Sequence, residues 1–252
     1  ADIIVSSYYN DISCFGANDG NITINISGGV PNYIIDIPPF NQVLLNGVTN
    51  YSTQALGPGT YIYYISDSNS CMKSDTIFIN EPSQLTTTPL INDVLCNDEN
   101  NGSILLNTSG GTTPYIEDFG GYNPLQLSAG TYTYLVTDSN NCITSDTFSI
   151  SEPDSLLATT FPLVDNLCFG DCEAEEQLFI QGGTLPYSFS INGGVTQTIT
   201  TGTGNTQDFV NLCAGDYNIV VTDDNDCPTL NPPSESPHPD TTYFTITEPS
   251  VI

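Results

Sequence analysis

Hydrophobic and polar residues alternate along much of the chain with a period of two. In residues 21–26 three isoleucines alternate with polar side chains, and residues 131–137 and 216–222 read as further strands that end in Asp-rich turns. Such alternation is typical of β-strands that bury one face. No segment has a convincing helical period, and turns rich in Gly, Pro and Asn recur about every 8–12 residues. The pattern predicts an all-β protein built from small antiparallel sandwiches.

Three copies of one unit follow each other along the chain. In each copy a Gly-Gly pair lies 14 residues after a first cysteine, a Gly-x-Tyr motif lies 12 residues before a second cysteine, and Glu-Pro closes the copy. Internal repetition of this kind predicts repeated domains. We therefore expect three tandem immunoglobulin-like β-sandwich repeats arranged as an elongated rod. The predicted bounds are 1–82 for repeat 1, 83–153 for repeat 2 and 154–252 for repeat 3, which carries a Pro-rich insertion at 228–240.

The eight cysteines, an even number, suit an oxidising compartment and disulfide bonds. They allow roughly a hundred pairings, from which alignment of the repeats favours one. We count four strands between the two cysteines of repeat 2, which would return the chain to the same end of the sandwich. Cysteines that bind metal are disfavoured because the chain has no Cys-x-x-Cys motif. The predicted bonds are Cys14–Cys71, Cys96–Cys142, Cys168–Cys227 and Cys172–Cys213.

The repeated motifs also resemble a known family. Residues 14–24, 129–132, 137–142 and 151–153 combine a cysteine turn, Ala-Gly-Thr-Tyr, an Asp-rich turn before a cysteine, and Ser-Glu-Pro. This combination resembles the SprB repeat, which is arrayed in tandem in very large surface adhesins of gliding bacteria of the Bacteroidetes group. Repeat 3 departs from it, with Cys172 and several glutamates in its first turn. The resemblance implies an extracellular filament, exported by the type IX route, that contacts solid surfaces or polysaccharide.

The charge balance excludes several classes of partner and chemistry. The chain has 29 Asp and Glu against one Lys or Arg, a formal net charge of −28. Without a basic patch we expect no nucleic-acid binding and no clamp for a transferring phosphoryl group. No apolar stretch approaches the ~18 residues of a membrane span, so we expect no direct membrane insertion. His238, the one histidine, lies in the Pro-rich insertion and is a poor catalytic base, so we do not predict an enzyme.

The sequence requires no cofactor, but calcium is a candidate ligand because hard cations take several oxygen ligands. Acidic residues recur near the first cysteines and again before the second cysteines, and the two groups would converge if both cysteines of a repeat lay at one end. Against this, Asp and Asn favour turns because their side chains bond the local backbone, and the chain has no EF-hand loop. The candidate ligands are Asp19, Asp67, Asp98, Asp138, Glu175, Asp223 and Asp226.

Tyrosines invite a second hypothesis, because aromatic rings stack on sugars. Those of the Gly-x-Tyr motif begin a late strand, as does the structural tyrosine corner of β-sandwiches; they are Tyr61, Tyr132 and Tyr217. Other tyrosines are less constrained and are candidate contact residues, namely Tyr8, Tyr9, Tyr63, Tyr64 and Tyr122.

Three Asp-Ser/Thr-apolar triplets resemble the acceptor of O-glycosylation in Bacteroidetes. In a chain so rich in Thr and Ser such triplets also arise by chance. The candidate glycosylated residues are Thr76, Ser155 and Thr241.

Together these features predict a non-enzymatic structural and adhesive segment of a long filament on the extracellular cell surface. The expected partners are further copies of the same repeat in a longer chain or filament, and surface polysaccharide. The alternative is an accessory carbohydrate- or calcium-binding module of a secreted hydrolase. The parent reading frame separates the two hypotheses, because further repeats favour the filament and a catalytic domain favours the module.

Overall fold

The computed structural model describes residues 2–200, 205–229 and 241–250. Over these ranges it contains nineteen β-strands and no helix, which confirms the predicted all-β class. Within the same ranges, therefore, no helix is long and apolar enough to cross a membrane. His238 and most of the Pro-rich insertion lie outside the described residues.

Repeat 1 is a sandwich of two antiparallel sheets. One sheet has the order β1-β2-β5 and the other has the order β4-β3-β6-β7. In the first sheet Ile24 of β2 lies opposite Ser7 of β1 and Tyr51 of β5. The strands are β1 (Ile3–Asn10), β2 (Asn21–Gly28), β3 (Tyr33–Asp36), β4 (Val43–Leu45), β5 (Asn50–Ser52), β6 (Gly59–Ser66) and β7 (Met72–Ile79).

The core of repeat 1 follows from the alternation of its strands. Ile22, Ile24 and Ile26 of β2 are all buried, whereas the polar residues between them face outward or lie at the margin. They pack in one cluster with inward residues of both sheets, among them Ile35 and Ile65. Full burial of such a side chain stabilises the fold by roughly 1.5–3 kcal/mol, so the alternation fixes which face of each strand turns inward.

Repeat 3 has the same topology. Its sheets have the orders β13-β14-β17 and β16-β15-β18-β19, and its core is a second cluster that includes Leu178, Ile180 and Phe189. The strands are β13 (Leu157–Val164), β14 (Ala174–Gln181), β15 (Tyr187–Ile191), β16 (Gln197–Ile199), β17 (Thr206–Leu212), β18 (Gly215–Thr222) and β19 (Thr241–Ile246).

Repeat 2 is shorter and has fewer strands. They form a β8-β9 pair and a sheet of order β10-β11-β12. A bridge between Gly102 and Leu127 stands where repeat 1 has a bridge between Gly20 and Leu56. The strands are β8 (Thr86–Asn92), β9 (Ser103–Ser109), β10 (Ile116–Asp118), β11 (Gly130–Thr137) and β12 (Ile143–Ile150).

By its internal contacts the chain divides into two compact units, and the division passes through repeat 2. Unit 1 consists of Ala1–Pro89, Leu106–Gly120 and Thr133–Asp146, so it holds repeat 1 and part of repeat 2. Unit 2 consists of Leu90–Leu105, Gly121–Tyr132 and Thr147–Ile252, so it holds repeat 3 and the rest of repeat 2. The units therefore do not coincide with the three predicted repeats.

Candidate functional site

Each repeat contains a turn with the sequence Asp-x-Asn-x-Cys, which ends at its second cysteine. We call residues 67–71, 138–142 and 223–227 the Asp-Cys turns. In repeat 1 one oxygen of Asp67 accepts the backbone N–H of Val30 at 2.9 Å, and the other accepts the N–H groups of Asn69 and Cys71, each at 2.9 Å. A carboxylate that accepts three N–H groups holds the whole turn in one conformation.

The same three bonds recur in the other repeats. Asp138 accepts the N–H groups of Thr112, Asn140 and Cys142 at 2.8, 2.9 and 2.8 Å. Asp223 accepts those of Thr184, Asn225 and Cys227 at 2.8, 3.0 and 2.9 Å. The three aspartates are 6%, 3% and 3% exposed, so they are buried acids whose oxygens are occupied by the protein backbone.

The bonds to Asp67 favour the ionised form of its carboxyl group. In Asp67 the pKa lies below its usual value, mainly because its carboxylate accepts the N–H of Val30, with smaller contributions from Cys71 and Asn69.

The Gly-Gly motif leaves room for the carboxylate of the Asp-Cys turn. Gly111 has a φ of +56°, and a Cβ there would lie 2.6 Å from Oδ2 of Asp138.

A second turn follows the first cysteine of each repeat. We call residues 13–17, 95–99 and 167–171 the entry turns. The glutamate of the closing Glu-Pro reaches back to each of them with Oε2. Glu81 accepts the N–H of Gly16 at 2.9 Å and Glu152 that of Asp98 at 2.9 Å. Glu248 accepts the N–H of Gly170 at 2.7 Å, so this glutamate ties the end of each repeat to its own entry turn.

The disulfide bonds correct the predicted pairing. Cys14 bonds to Cys142 and Cys96 bonds to Cys227, so the first cysteine of one repeat joins the second cysteine of the next. The predicted bonds Cys14–Cys71, Cys96–Cys142 and Cys168–Cys227 are not formed. Of the predicted pairs, Cys172–Cys213 is present within repeat 3. Cys71 and Cys168 are free and exposed.

The number of strands between the cysteines explains the error. Three strands, not four, lie between Cys96 and Cys142, and five lie between Cys14 and Cys71. Because successive antiparallel strands reverse direction, an odd number takes the chain to the other end of the sandwich. The two cysteines of repeat 1 are therefore at opposite ends, whereas a bond needs Cα atoms within about 7 Å. In both observed bonds between repeats this distance is 5.6 Å.

A hydrogen bond accompanies each disulfide between repeats. Within unit 1, Nδ2 of Asn140 donates to the backbone oxygen of Ser13 at 2.9 Å. Within unit 2, Nδ2 of Asn225 donates to the backbone oxygen of Leu95 at 3.2 Å. Ser13 and Leu95 directly precede the first cysteines, so the Asn and the Cys of an Asp-Cys turn both contact the entry turn of the preceding repeat.

The candidate calcium ligands are placed but not gathered. Over the described ranges, no three side chains of His, Cys, Asp or Glu come close enough to hold a metal ion together. The carboxylate of Asp19 accepts hydrogen bonds from the hydroxyl and the backbone N–H of Ser13. These bonds lower the pKa of Asp19. Asp98 and Asp226 have left-handed backbone conformations in turns, and Glu175 lies in β14 opposite Val164. Calcium binding stays a prediction, and Asp67, Asp138 and Asp223 would enter it with oxygens already in use.

Repeat 3 contains a buried acid that the sequence pattern grouped with the glutamates near its first turn, as part of an acidic cluster considered for calcium. Glu176 occupies an inward position of β14 and is 4% exposed. It lies eight residues after Cys168, and eight residues after Cys14 stands the core residue Ile22. Burial is the main cause that raises the pKa of the Glu176 carboxyl. The negative charge of Asp165 raises this pKa further, whereas a hydrogen bond with the side chain of Thr160 lowers it.

The tyrosine corner is present in all three repeats. The hydroxyl groups of Tyr61, Tyr132 and Tyr217 donate to the backbone oxygens of Gly57, Ser128 and Cys213, four residues upstream, at 3.0, 2.9 and 3.0 Å. Among the candidate contact tyrosines, Tyr63 is buried, and burial raises its pKa. Tyr8, Tyr9, Tyr64 and Tyr122 are exposed.

The candidate glycosylation sites differ in access. Thr76 is exposed on β7, opposite Ile62 of β6. Ser155 is half-buried and donates its hydroxyl to Oδ1 of Asn97 at 2.6 Å. Thr241 is 7% exposed, so its burial leaves little room for a sugar. O-glycosylation stays a prediction, for which Thr76 has the most accessible hydroxyl of the three.

Sequence reasoning missed the role of two residues in every repeat. The aspartate of the Asp-Cys turn was considered as a metal ligand, and the glutamate of Glu-Pro only as a marker of the repeat end. Both recur at a fixed place while the loops around them vary in length. That invariance within one chain is the signal that could have identified them as structural acids.

Comparison with known proteins supports the repeat assignment. A family model described as the SprB repeat matches residues 9–37 and 88–115. Each matched segment runs from before the first cysteine to beyond the Gly-Gly pair of its repeat, in repeat 1 and repeat 2. No curated protein matches the sequence of this chain.

Several solved structures are similar at low identity. The structure of invasin, a bacterial integrin-binding protein, is 13% identical with a TM-score of 0.33, over 98% of this chain and 60% of that one. Protocadherin gamma B7 extracellular cadherin domains 1–4 are 10% identical with a TM-score of 0.31, over 98% and 91%. SGBP-B of the Bacteroides ovatus mixed-linkage glucan utilization locus, in complex with a mixed-linkage heptasaccharide, is 16% identical with a TM-score of 0.24, over 90% and 64%. This chain thus spans less than two thirds of the invasin structure.

Proposed function

We propose that this chain, two segments of which match the SprB repeat family, is a non-enzymatic adhesive segment of a long filament on the cell surface. In this role it carries mechanical load between neighbouring repeats and holds the cell to a surface or a polysaccharide. The gliding adhesins that contain SprB repeats are the basis for the adhesive part of the proposal. The formation of disulfide bonds fits a place outside the cell.

The observation that carries the load-bearing part is the pair of disulfides between repeats. The Cys14–Cys142 and Cys96–Cys227 bonds join cysteines that are 128 and 131 residues apart in the chain. The two segments closed by these bonds overlap between Cys96 and Cys142. A pull on both ends therefore passes through the first bond, back along residues 142–96, and through the second bond. Most of the polypeptide is bypassed by this covalent path, so it cannot extend while the bonds are intact.

Single-molecule pulling from residues 1 and 252 tests the load-bearing part. The covalent path contains 14 residues up to Cys14, 46 between Cys96 and Cys142, and 25 after Cys227. At roughly 3.4 Å per extended residue, the unfolded oxidised chain should reach about 290 Å and the fully reduced chain about 860 Å. Equal lengths before and after reduction would contradict the proposal. The variant with Cys172→Ser and Cys213→Ser is the matched control, because its missing bond lies outside the covalent path.

Binding of the oxidised chain to an array of bacterial and plant polysaccharides tests the adhesive part. The array is probed with calcium and again with a chelator, which also tests the predicted calcium. Retention on a defined class of glycan supports adhesion, and loss of retention with chelator would assign calcium a role in it. If no glycan retains the chain in either condition, adhesion to polysaccharide is not a function of this segment.

A further inference from the structure

The two free cysteines stand at positions whose equivalents are bonded. Each bond between repeats joins a first cysteine to the second cysteine of the following repeat, as in Cys14–Cys142 and Cys96–Cys227. By the same rule the partner of Cys168, a first cysteine, is the second cysteine of a following repeat. The partner of Cys71, a second cysteine, is the first cysteine of a preceding repeat. Both thiols are exposed, whereas Cys227 is 4% exposed.

The Asp-Cys turn of repeat 1 is already in its bonded conformation without a bond. Its three hydrogen bonds to Asp67 are within 0.1 Å of those to Asp138 in the bonded turn of repeat 2. Ser70 and Asn141 precede the two cysteines with φ values of 62° and 65°. The turn around Cys71 is therefore preorganised to receive an entry turn.

The entry turn around Cys168 is held in the same way as the bonded ones. Glu248 accepts the N–H of Gly170, as Glu81 accepts that of Gly16 beside the bonded Cys14. Leu167, which directly precedes Cys168, is 78% exposed. Its backbone oxygen stands where those of Ser13 and Leu95 accept Nδ2 of an asparagine, and Asn69 supplies the equivalent asparagine at the other free cysteine.

We propose that Cys71 and Cys168 are the two docking cysteines of this segment, each of which forms a disulfide with a neighbouring repeat of the same kind. Cys71 takes the first cysteine of a preceding repeat, and Cys168 takes the second cysteine of a following one. The filament is thereby a continuous series of bonds between repeats. This inference rests on the proposed function and names the partner of each exposed cysteine.

The reaction is a two-electron oxidation. Two thiols lose two protons and two electrons as one S–S bond forms. A low-molecular-weight or protein disulfide takes up the two electrons and two protons, and its own S–S bond breaks to give two thiols. The hydrogen bond from the asparagine of the Asp-Cys turn brings the two sulfurs together before oxidation. Proximity of this kind raises the effective concentration of the reacting groups.

Oxidation of the 252-residue chain in a glutathione redox buffer tests the inference, because one copy can act as the neighbour of another. We expect a ladder of covalent multimers under non-reducing electrophoresis, with Cys71 of one copy linked to Cys168 of the next by peptide mapping. The same map must contain Cys14–Cys142 and Cys96–Cys227. Wild-type chains that stay monomeric with two titratable thiols overturn the inference, and so does a map with Cys14–Cys71.

Single variants make the direction of docking testable. Cys71→Ser alone and Cys168→Ser alone should stay monomeric, whereas their equimolar mixture should stop at dimers. A control variant combines Cys71→Ser with Val195→Cys, which moves the thiol to a side chain that is 87% exposed and outside any Asp-Cys turn. It should link to Cys168 about tenfold more slowly than Cys71 does. Equal rates, or symmetric dimers of single variants, would mean random oxidation of exposed thiols.

The pulling experiment separates this inference from the proposed function. A variant with Cys71→Ser and Cys168→Ser keeps both bonds between repeats and should extend as the wild type does. In one outcome the wild type forms no multimers, but the oxidised chain still reaches only about a third of the length of the reduced chain. That outcome overturns the docking inference alone. If reduction has no effect on extension, the load-bearing function falls.

Discussion

The Asp-Cys turns of repeat 1 and repeat 2 have the same conformation but different fates. Asp67 and Asp138 each accept three backbone N–H groups in the same pattern, yet Cys142 is bonded to Cys14 and Cys71 is free. The conformation of the turn therefore does not depend on the disulfide. A buried acid holds the turn in its conformation locally. The cysteine of the turn then forms a disulfide where the entry turn of another repeat lies next to it.

The largest difference between the two turns should appear when the cysteines are removed. Replacing Cys14 and Cys142 together by Ser should lower the free energy of unfolding by about 4–5 kcal/mol, because a loop with 128 residues of separation no longer restricts the unfolded chain. Replacing Cys71 by Ser should change it by less than about 0.5 kcal/mol. Chemical denaturation under oxidising conditions measures both values. A large loss from Cys71→Ser would point to a bond inside repeat 1.

The turns should respond alike to loss of their acids. Asp138→Ala leaves three N–H groups without their acceptor and should lower the free energy of unfolding by about 3 kcal/mol. Asp67→Ala should lower Tm as well, although its turn has no disulfide. Glu117→Ala, a change to an exposed acid on β10, is the control and should leave Tm unchanged. If only Asp138→Ala lowers Tm, the disulfide and not the acid maintains the turn.

A smaller difference is expected from the asparagines. Asn140 donates to the oxygen of Ser13, so Asn140→Ala should lower the free energy of unfolding by about 1 kcal/mol. Asn69 lies in the turn whose cysteine is free, so Asn69→Ala should have little effect on a single chain. Thermal unfolding at neutral pH compares the two variants. Equal losses would mean that the asparagine acts inside its own turn.

Glu176, a buried acid in repeat 3, should respond to pH in the opposite sense to Asp67. Burial raises the pKa of Glu176, so its ionised form destabilises the fold at pH values above the ordinary pKa of about 4.3. Glu176→Gln should therefore raise Tm at pH 7, and the gain should vanish below about pH 4, where the acid is protonated in both states. Glu175→Gln, at a half-buried outward position of the same strand, is the control. A gain that is independent of pH would contradict this origin.

The lowered pKa of Asp67 has the converse consequence. Its contribution to stability is complete above the ordinary pKa of about 3.9 and is lost as pH falls through the lower value of the folded state. The Tm of the wild type should then decrease as the pH is lowered below about 4. In Asp67→Asn this part of the pH dependence should be absent.

Much of the fold could be predicted from the sequence. The alternation around Ile22, Ile24 and Ile26 identified a strand and its inward face, and the Gly-x-Tyr motif identified the tyrosine corners. The Asp-Cys turn could have been recognised as structural from its constancy. Glu176 defeats the pattern, because a polar residue on an inward face is visible only once the strand register is known.

What the sequence alone determined about this protein is the local structure of each repeat, since turns, strands and corners depend on residues close together in the chain. The partner of each cysteine was decided only by the tertiary structure. One additional or missing strand between two cysteines moves the second cysteine to the other end of the sandwich. The number of short strands cannot be read reliably from the sequence pattern. The bonds therefore follow the ends of neighbouring repeats and not the symmetry of the repeat alignment.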